Sequence, residues 1–549
     1  MSPAAFIDRI GDWSAGLRYG LLTLIALAFF VPGIASLPPS DRDESRFAQA
    51  TKQMVETGDY IDIRFQDAPR HKKPAGIYWM QAAAVHLTGI ADEIWVYRMP
   101  SLIGAVLAVL LTAAIGGMLF GPGIGFGAGV VMASSVLLNV EARIGKTDAM
   151  LLAATLAALA CLIRVLQMRA RPAASAYGFW AALGLGFLIK GPIPFLPVVG
   201  LAAAESWRQR SLGWMAALRP LTGFLVFTAL AAPWFVAITI ISDGGFFAES
   251  VGKDLAAKVA SGQESHGAPP GLYLALAPLT FWPLSLLGLI ALPWIWRSRA
   301  RAEVWMLLGW AVLTWAIFEA TPTKLAHYVL PAYPALAILA VAALADGDWP
   351  ARWWRWLCFG LWALITVALG LAMPVLAINT GITGFDPFWF AGVILLPALW
   401  AAWKLAVGAG AGRHLTVWLI CAGLFTGVVF GRFLPGLHPV FVSPKLAAML
   451  PDRPGCETPF LASAGYSEPS LVFLTGTRTK LVGGAAAADH LAAEPACGVA
   501  AVEQRQLKPF LDRVAENGQK VTAAGALDGF NYARGKRVLI TLYIAEPER

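Results

Sequence analysis

The chemistry of this chain rests on two carboxylates and a set of cations, one of which, Lys190, is isolated in apolar surroundings. Asp43 stands in Asp41-Arg-Asp-Glu-Ser-Arg-Phe-Ala and Asp148 in Arg143-Ile-Gly-Lys-Thr-Asp. A carboxylate can take a proton from an attacking hydroxyl or stabilise positive charge at a reacting carbon. The cations are Arg46, the cluster Arg70-His71-Lys72-Lys73, Lys146, Lys190 and Lys324. Lysine and arginine grip phosphate through charge-assisted hydrogen bonds. Aromatic partners follow closely, Tyr78 after Lys73-Pro74 and Tyr328 after Lys324.

Each of these residues also has a structural reading. Asp43 precedes a helix-like run and could be its N-cap. Asp41-x-Asp43 has the look of a metal pair, a weak signal on its own. Lys73 could neutralise a lipid-linked phosphate or snorkel to headgroups, and snorkelling suits Lys72 better. Arg143, Lys146 and Asp148 could anchor a helix end. Lys190, between Leu-Ile and Gly-Pro, is the clearest isolated cation, and such groups at membrane depth are functional by default. His327, and His266 in Gly-Gln-Glu264-Ser-His, suit structural roles as well as binding ones.

The elements that must position these groups follow from composition. Hydrophobic residues make up 58% of the 549-residue chain and charged residues 14%, with a mean hydropathy of +0.63. Soluble domains carry about 25% charged residues, so this is an integral membrane protein. The net charge of +8 then reflects topology and not nucleic-acid binding. Runs of about twenty apolar residues fall near 17–37, 95–118, 122–140, 149–167, 176–190, 191–205, 220–241, 271–295, 303–320, 329–345, 357–378, 388–406 and 415–433, about thirteen spans. The first follows Arg9 and Arg18 without a small-residue cleavage site and reads as a retained helix. Tyr78–Gly89 is too short to span and reads as interfacial.

Alternate connections carry at least two basic residues each (Arg9/Arg18, Arg208/Arg210/Arg219, Arg297/Arg299/Arg301, for example), which makes them cytoplasmic. An odd number of spans puts the loop 38–94, Lys146, Asp148, Lys190, Lys324 and the chain after 433 on the opposite face. Residues 1–433 therefore read as a transmembrane unit and 434–549 as a small periplasmic α/β domain, with short strand-like runs alternating with polar helical ones. Cys161, Cys358 and Cys421 lie in spans as small core residues. Cys456 and Cys497 either bridge in an oxidising compartment or remain two buried thiols.

The runs Asp43-Glu-Ser-Arg-Phe-Ala, Gly58-Asp-Tyr, Lys73-Pro and Tyr78-Trp resemble the first outer loop of the GT-C membrane glycosyltransferases. The resemblance extends through Gly145-Lys-Thr-Asp, Leu188-Ile-Lys-Gly, Lys324 with Tyr328-Val-Leu-Pro, and Phe530-Asn-Tyr-Ala-Arg-Gly-Lys-Arg. It is strongest to the bacterial aminoarabinose transferases that modify lipid A and to the protein O-mannosyltransferases. It implies transfer of a sugar, 4-amino-4-deoxy-L-arabinose or another pentose or hexose, from an undecaprenyl (polyprenyl) phosphate donor. The acceptor would be lipid A, lipopolysaccharide or another envelope lipid or glycan, at the periplasmic face of the bacterial inner membrane. By motif match Asp43 is the principal catalytic carboxylate and Asp148 a second. Glu44, Arg46, Lys72, Lys73, Tyr78, Lys146, Lys190, Lys324 and Tyr328 are substrate contacts. In the aminoarabinose transferases an acidic residue used in metal coordination precedes the Lys-Pro. This chain has Lys72 there, so a divalent metal, the one cofactor in view, stays open, as does the sugar. The rival reading is a lipid-linked saccharide flippase, but transporters place ionisable residues near mid-membrane and show repeat symmetry, and neither is visible here.

Overall fold

The computed structural model describes residues 3–167, 172–255, 257, 267–380, 387–408, 411–452, 456 and 459–546. All thirteen expected apolar segments overlap helices. Among the described residues, nine helices are long and apolar enough to cross a membrane, or ten if the bent pair Ala5–Gly11 and Ala15–Phe30 forms one span. The remaining segments are shorter or interrupted. The run at 122–140 divides into Pro122–Ser134 and Val136–Glu141 because the Ser135 hydroxyl accepts from the Leu138 N–H and starts a new helix. The run at 271–295 divides into Leu272–Thr280 and Ser285–Arg297. The protein is thus a multi-pass helical membrane protein, and the segment Ala326–Asp346 is the most buried of those nine helices.

The first loop is a folded unit. Helix Asp43–Thr57 is followed by a two-stranded hairpin, β1 (Arg64–Phe65) with β2 (Ala68–Pro69), and by helix Gly76–Thr88. Helix Asp43–Thr57 ends at Gly58, whose φ of 71° provides the left-handed cap. Its apolar side, with Phe47, Ala50 and Met54, packs on Ile77, Tyr78 and Ala82 and on Trp234 and Ile238 from a membrane helix. The N-cap is Arg42, which makes no side-chain cap bond, so Asp43 is the first helical residue and does not cap. Acidic residues in a first turn suit the helix dipole. Gly76 touches the end of helix Pro172–Lys190 so closely that a Cβ would lie 2.7 Å from the Leu188 carbonyl oxygen. That approach brings Lys73 and Lys190 to neighbouring ends of packed helices.

After residue 441 the chain forms a five-stranded sheet in the order β4-β3-β5-β7-β6. The strands are β3 (Phe460–Ala464), β4 (Lys480–Val482), β5 (Gly498–Glu503), β6 (Val521–Asn531) and β7 (Lys536–Ala545). β3 pairs in parallel with β4 and β5, whereas β7 is antiparallel to β5 and β6. Helices cover the sheet, and β5 is buried along its length, which suits the apolar run Gly498-Val-Ala-Ala-Val that precedes Glu503. A disulfide joins Cys456 to Cys497. This unit rests on the first loop and on the start of helix Ile94–Phe120: Gln49 donates to Thr477, Arg42 donates to the Ala533 carbonyl at 2.5 Å, and the Phe473 ring lies 5.3 Å from that of Tyr97. The first loop and the C-terminal sheet therefore occupy the same face of the helical region.

Candidate active site

Arg98 holds the first loop in place. It sits near the start of helix Ile94–Phe120 and is almost fully buried. All five of its N–H groups are used: Nε and one terminal nitrogen donate to the two oxygens of Glu44, at 2.7 and 3.0 Å, and the others to the carbonyls of Ile34, Leu37 and Pro38. Glu44 also accepts from the backbone N–H groups of Ser40 and Gly145. Burial alone would raise the Glu44 carboxyl, but the guanidinium and these N–H donors hold it below the usual range. Glu44 borders the cavity described below, but its acceptor sites are taken. Its bonds join the first loop to the Gly145 turn.

Two cavities meet beneath this ion pair. One, of about 380 Å³, is polar and is bordered by Asp43, Arg46 and Lys146. The other, of about 260 Å³, is apolar and is walled by Phe187, Leu196, Phe235, Phe246, Phe247 and Phe318. Lys72, Lys73, Asp148, Lys190, Asp254, His327 and Tyr328 border both. The structure therefore gathers Asp43, Arg46, Lys72, Lys73, Lys146, Asp148, Lys190 and Tyr328 from four separate stretches of chain.

Asp148 is the electrostatic centre. Its Oδ1 accepts from Lys190 Nζ at 2.5 Å, and Lys146 Nζ lies 3.8 Å from Oδ2. Lys146 also pairs with the buried Glu141 at 3.0 Å and donates to His327 Nδ1 at 3.2 Å. That bond makes Nδ1 the acceptor and leaves the ring proton on Nε2, which faces Asp148 at 3.8 Å. Burial works against the Lys146 charge, but Glu141 and Asp148 outweigh it and hold the ammonium above its ordinary range. Asp43 is different: its side chain is 59% exposed and its one ion pair among the described residues, to Arg46, is 4.0 Å long. Asp148 is thus immobilised by cations, whereas Asp43 is free to meet a substrate proton.

The basic cluster of the first loop divides by role. Arg70 donates to the Tyr78 hydroxyl at 3.1 Å and lies over the Phe47 ring. His71 pairs with Asp62 at 2.8 Å and Lys73 with Asp254 at 3.1 Å. Lys72 has no such partner among the described residues.

Two expected substrate contacts lie away from both cavities. Tyr78 is fully buried between Phe47 and Arg70 and steadies the arginine that borders the polar cavity. Lys324 donates to the carbonyls of Phe318, Glu319 and Thr321 at 2.9, 2.5 and 2.7 Å, closing the end of helix Ala302–Ala320. An ammonium has three protons, so none is left for a phosphate. Glu264 and His266 lie outside the described residues. Sequence reasoning missed Arg98, Glu141 and Asp254. The first two carried a usable signal, being charges at the edge of apolar runs; Asp254 carried none.

The family model for dolichyl-phosphate-mannose-protein mannosyltransferases matches residues 72–236. An undecaprenyl phosphate-α-4-amino-4-deoxy-L-arabinose arabinosyl transferase of Pseudomonas aeruginosa (strain LESB58) is 28% identical over 401 residues, 69% of this chain and 70% of that one. Its counterpart in Aeromonas salmonicida (strain A449) is 28% identical over 409 residues, 70% of each chain. The crystal structure of ArnT from Cupriavidus metallidurans bound to undecaprenyl phosphate superposes with a TM-score of 0.73 at 18% identity, covering 96% of this chain and 98% of that one. The chain thus resembles membrane glycosyltransferases of the GT-C type, among them the aminoarabinose transferases and the protein O-mannosyltransferases.

A divalent metal does not fit the donor set of this site. Among the described residues no three His, Cys, Asp or Glu side chains converge on a point. The position before Lys73-Pro74 carries an ammonium, which cannot coordinate a cation.

Proposed function

We propose that this glycosyltransferase moves a sugar from an undecaprenyl (polyprenyl) phosphate to a hydroxyl or phosphate of an envelope acceptor, of the lipid A type or related, at the periplasmic face of the bacterial inner membrane. The observation that carries the reading is the junction of the two cavities. A polyprenyl chain needs an apolar, aromatic channel, its phosphate needs cations, and its sugar needs a polar chamber. The apolar cavity, the Lys72–Lys73–Lys190 boundary and the polar cavity supply these in that order.

In this arrangement the lysines balance the charge of the departing polyprenyl phosphate, favouring cleavage of the bond to the anomeric carbon. Asp43, exposed to the polar chamber, accepts the proton of the attacking group. Asp148 fixes Lys146 and Lys190 and, through His327, a third group on the same wall. The C-terminal unit closes the chamber: Tyr532 borders it, and its hydroxyl accepts from the Asp41 N–H at 2.6 Å. We assign residues 434–549 to shaping the acceptor entrance, and residues 1–433 to donor binding and chemistry.

The test is transfer by purified protein from a panel of undecaprenyl phosphate sugars, paired with mass spectrometry of envelope lipids and glycans from cells with and without the gene. A sugar-bearing species that disappears with the gene, and forms in vitro from one donor, supports the reading. An unchanged envelope together with no transfer from any donor would refute it.

A further inference from the structure

The boundary between the cavities shows which group can neutralise the donor phosphate. Its two carboxylates are engaged by lysines: Asp254 by Lys73 at 3.1 Å and Asp148 by Lys190 at 2.5 Å. A metal recruited there would have to take its ligands from those lysines. It would also sit beside three ammonium groups, where Coulomb repulsion opposes it. Lys72 meets the opposite conditions. It is half-buried, borders both cavities, and among the described residues no group bonds its ammonium. A cation kept in a partly desolvated site without a counter-ion suits an anion that arrives from outside.

We propose that the Lys72 ammonium supplies, at the donor phosphate, the positive charge that a divalent ion would otherwise supply, so that the enzyme binds its donor without metal. The phosphate then completes the ion pair that Lys72 lacks, while Lys73 and Lys190 stay anchored by Asp254 and Asp148 and shape the same wall. This inference rests on the polyprenyl phosphate reading above.

The test is equilibrium binding of undecaprenyl phosphate to the purified full-length protein, with its metal content measured by elemental mass spectrometry. Wild type is assayed in excess EDTA and again with added Zn²⁺, Mg²⁺ or Mn²⁺. The expected result is affinity unchanged within about twofold between the two conditions. Lys72→Ala should weaken binding about ten- to a hundredfold, the loss of one charge-assisted partner. Lys72→Arg, which keeps the charge, should recover most of that loss, and both variants should melt with wild type. Two results would overturn the proposal: binding that collapses in EDTA and returns with metal, or a Lys72→Ala protein that binds like wild type. Failure of wild type to bind the carrier lipid under either condition would refute the donor reading itself, and this inference with it, a pattern distinct from the other two.

Discussion

Glu44→Gln separates a structural strut from a substrate contact. The change keeps size and one acceptor oxygen but removes the charge facing Arg98, whose side chain is 2% exposed against 0% for Glu44. The new amide nitrogen would also point its protons at Arg98 or at the Ser40 or Gly145 N–H, donor against donor. Breaking one side of a buried, hydrogen-bonded ion pair costs about 3–5 kcal/mol, which lowers the folded-to-unfolded ratio about a hundred- to several-thousandfold. The assay is unfolding of purified protein by SDS titration in detergent micelles, run for wild type, Glu44→Gln, Arg98→Met and the double variant. Arg98→Met should also be damaging, since it strands Glu44 and three carbonyls. Adding Glu44→Gln to it should then cost far less than Glu44→Gln alone, giving a coupling energy of several kcal/mol. A Glu44→Gln protein within about 1 kcal/mol of wild type, with a raised KM for donor, would refute the strut and restore the substrate role.

Three further outcomes follow from the same geometry. Asp43→Asn should leave stability unchanged, because Asp43 is exposed and does not cap its helix, yet slow transfer about a hundredfold or more while donor binding persists; near-normal turnover would remove Asp43 as the base. Lys324→Met should lower the melting temperature and leave the donor KM of the surviving folded protein within about twofold, since its three bonds are to carbonyls; a selective KM increase would place it in the site. Burial pushes the Asp41 carboxyl up from 3.8 to about 6, against the pull of its Ser470 bond. A raised folded-state pKa means that the stability tied to the neutral form is complete below about 4 and is lost as pH climbs through 6. Asp41→Asn should therefore match wild type near pH 4 and become progressively more stable than it between pH 4 and 6, with a constant gap above; a gap that does not vary with pH would contradict this.

The helices of the membrane region were legible because lipid imposes a one-dimensional rule on sequence, about twenty apolar residues per crossing: the thirteen segments read that way all overlap helices, of which nine, or ten with the bent pair, are long and apolar enough to cross among the described residues. The α/β character of the C-terminal unit was legible from its short apolar runs for a similar reason. Breaks inside the crossings were less visible. Ser135 divides one run by a single hydroxyl bond, and apolarity on both sides of it is unchanged. Asp148 and Lys190 stood out because each interrupts an apolar neighbourhood. Asp254 did not, since Gly-Lys-Asp in a polar loop has no distinguishing pattern, and its importance arises only when Lys73, 181 residues earlier, is folded against it.

The placement of Glu44 and Lys324 shows how to read such sites. Sequence reports that a charged group exists near the right face, but its function depends on how many of its hydrogen-bonding positions the protein itself consumes. Lys324 has three protons and three internal carbonyl acceptors. Glu44 accepts four internal bonds. Both are saturated, so a ligand could engage them only by breaking bonds in a low-dielectric setting, where each unsatisfied group costs about 1–3 kcal/mol or more. Asp43 and Lys72 lie at the other extreme, one with a long 4.0 Å pair and the other with none among the described residues. Lys73 and Lys190 fall between, each anchored by a carboxylate, Asp254 and Asp148 respectively, that fixes its direction. On this scale the order of expected involvement with substrate is Asp43 and Lys72, then Lys73 and Lys190, then Glu44 and Lys324. Motif position alone ranks the six differently, with Lys324 equal to Lys73 and Lys190.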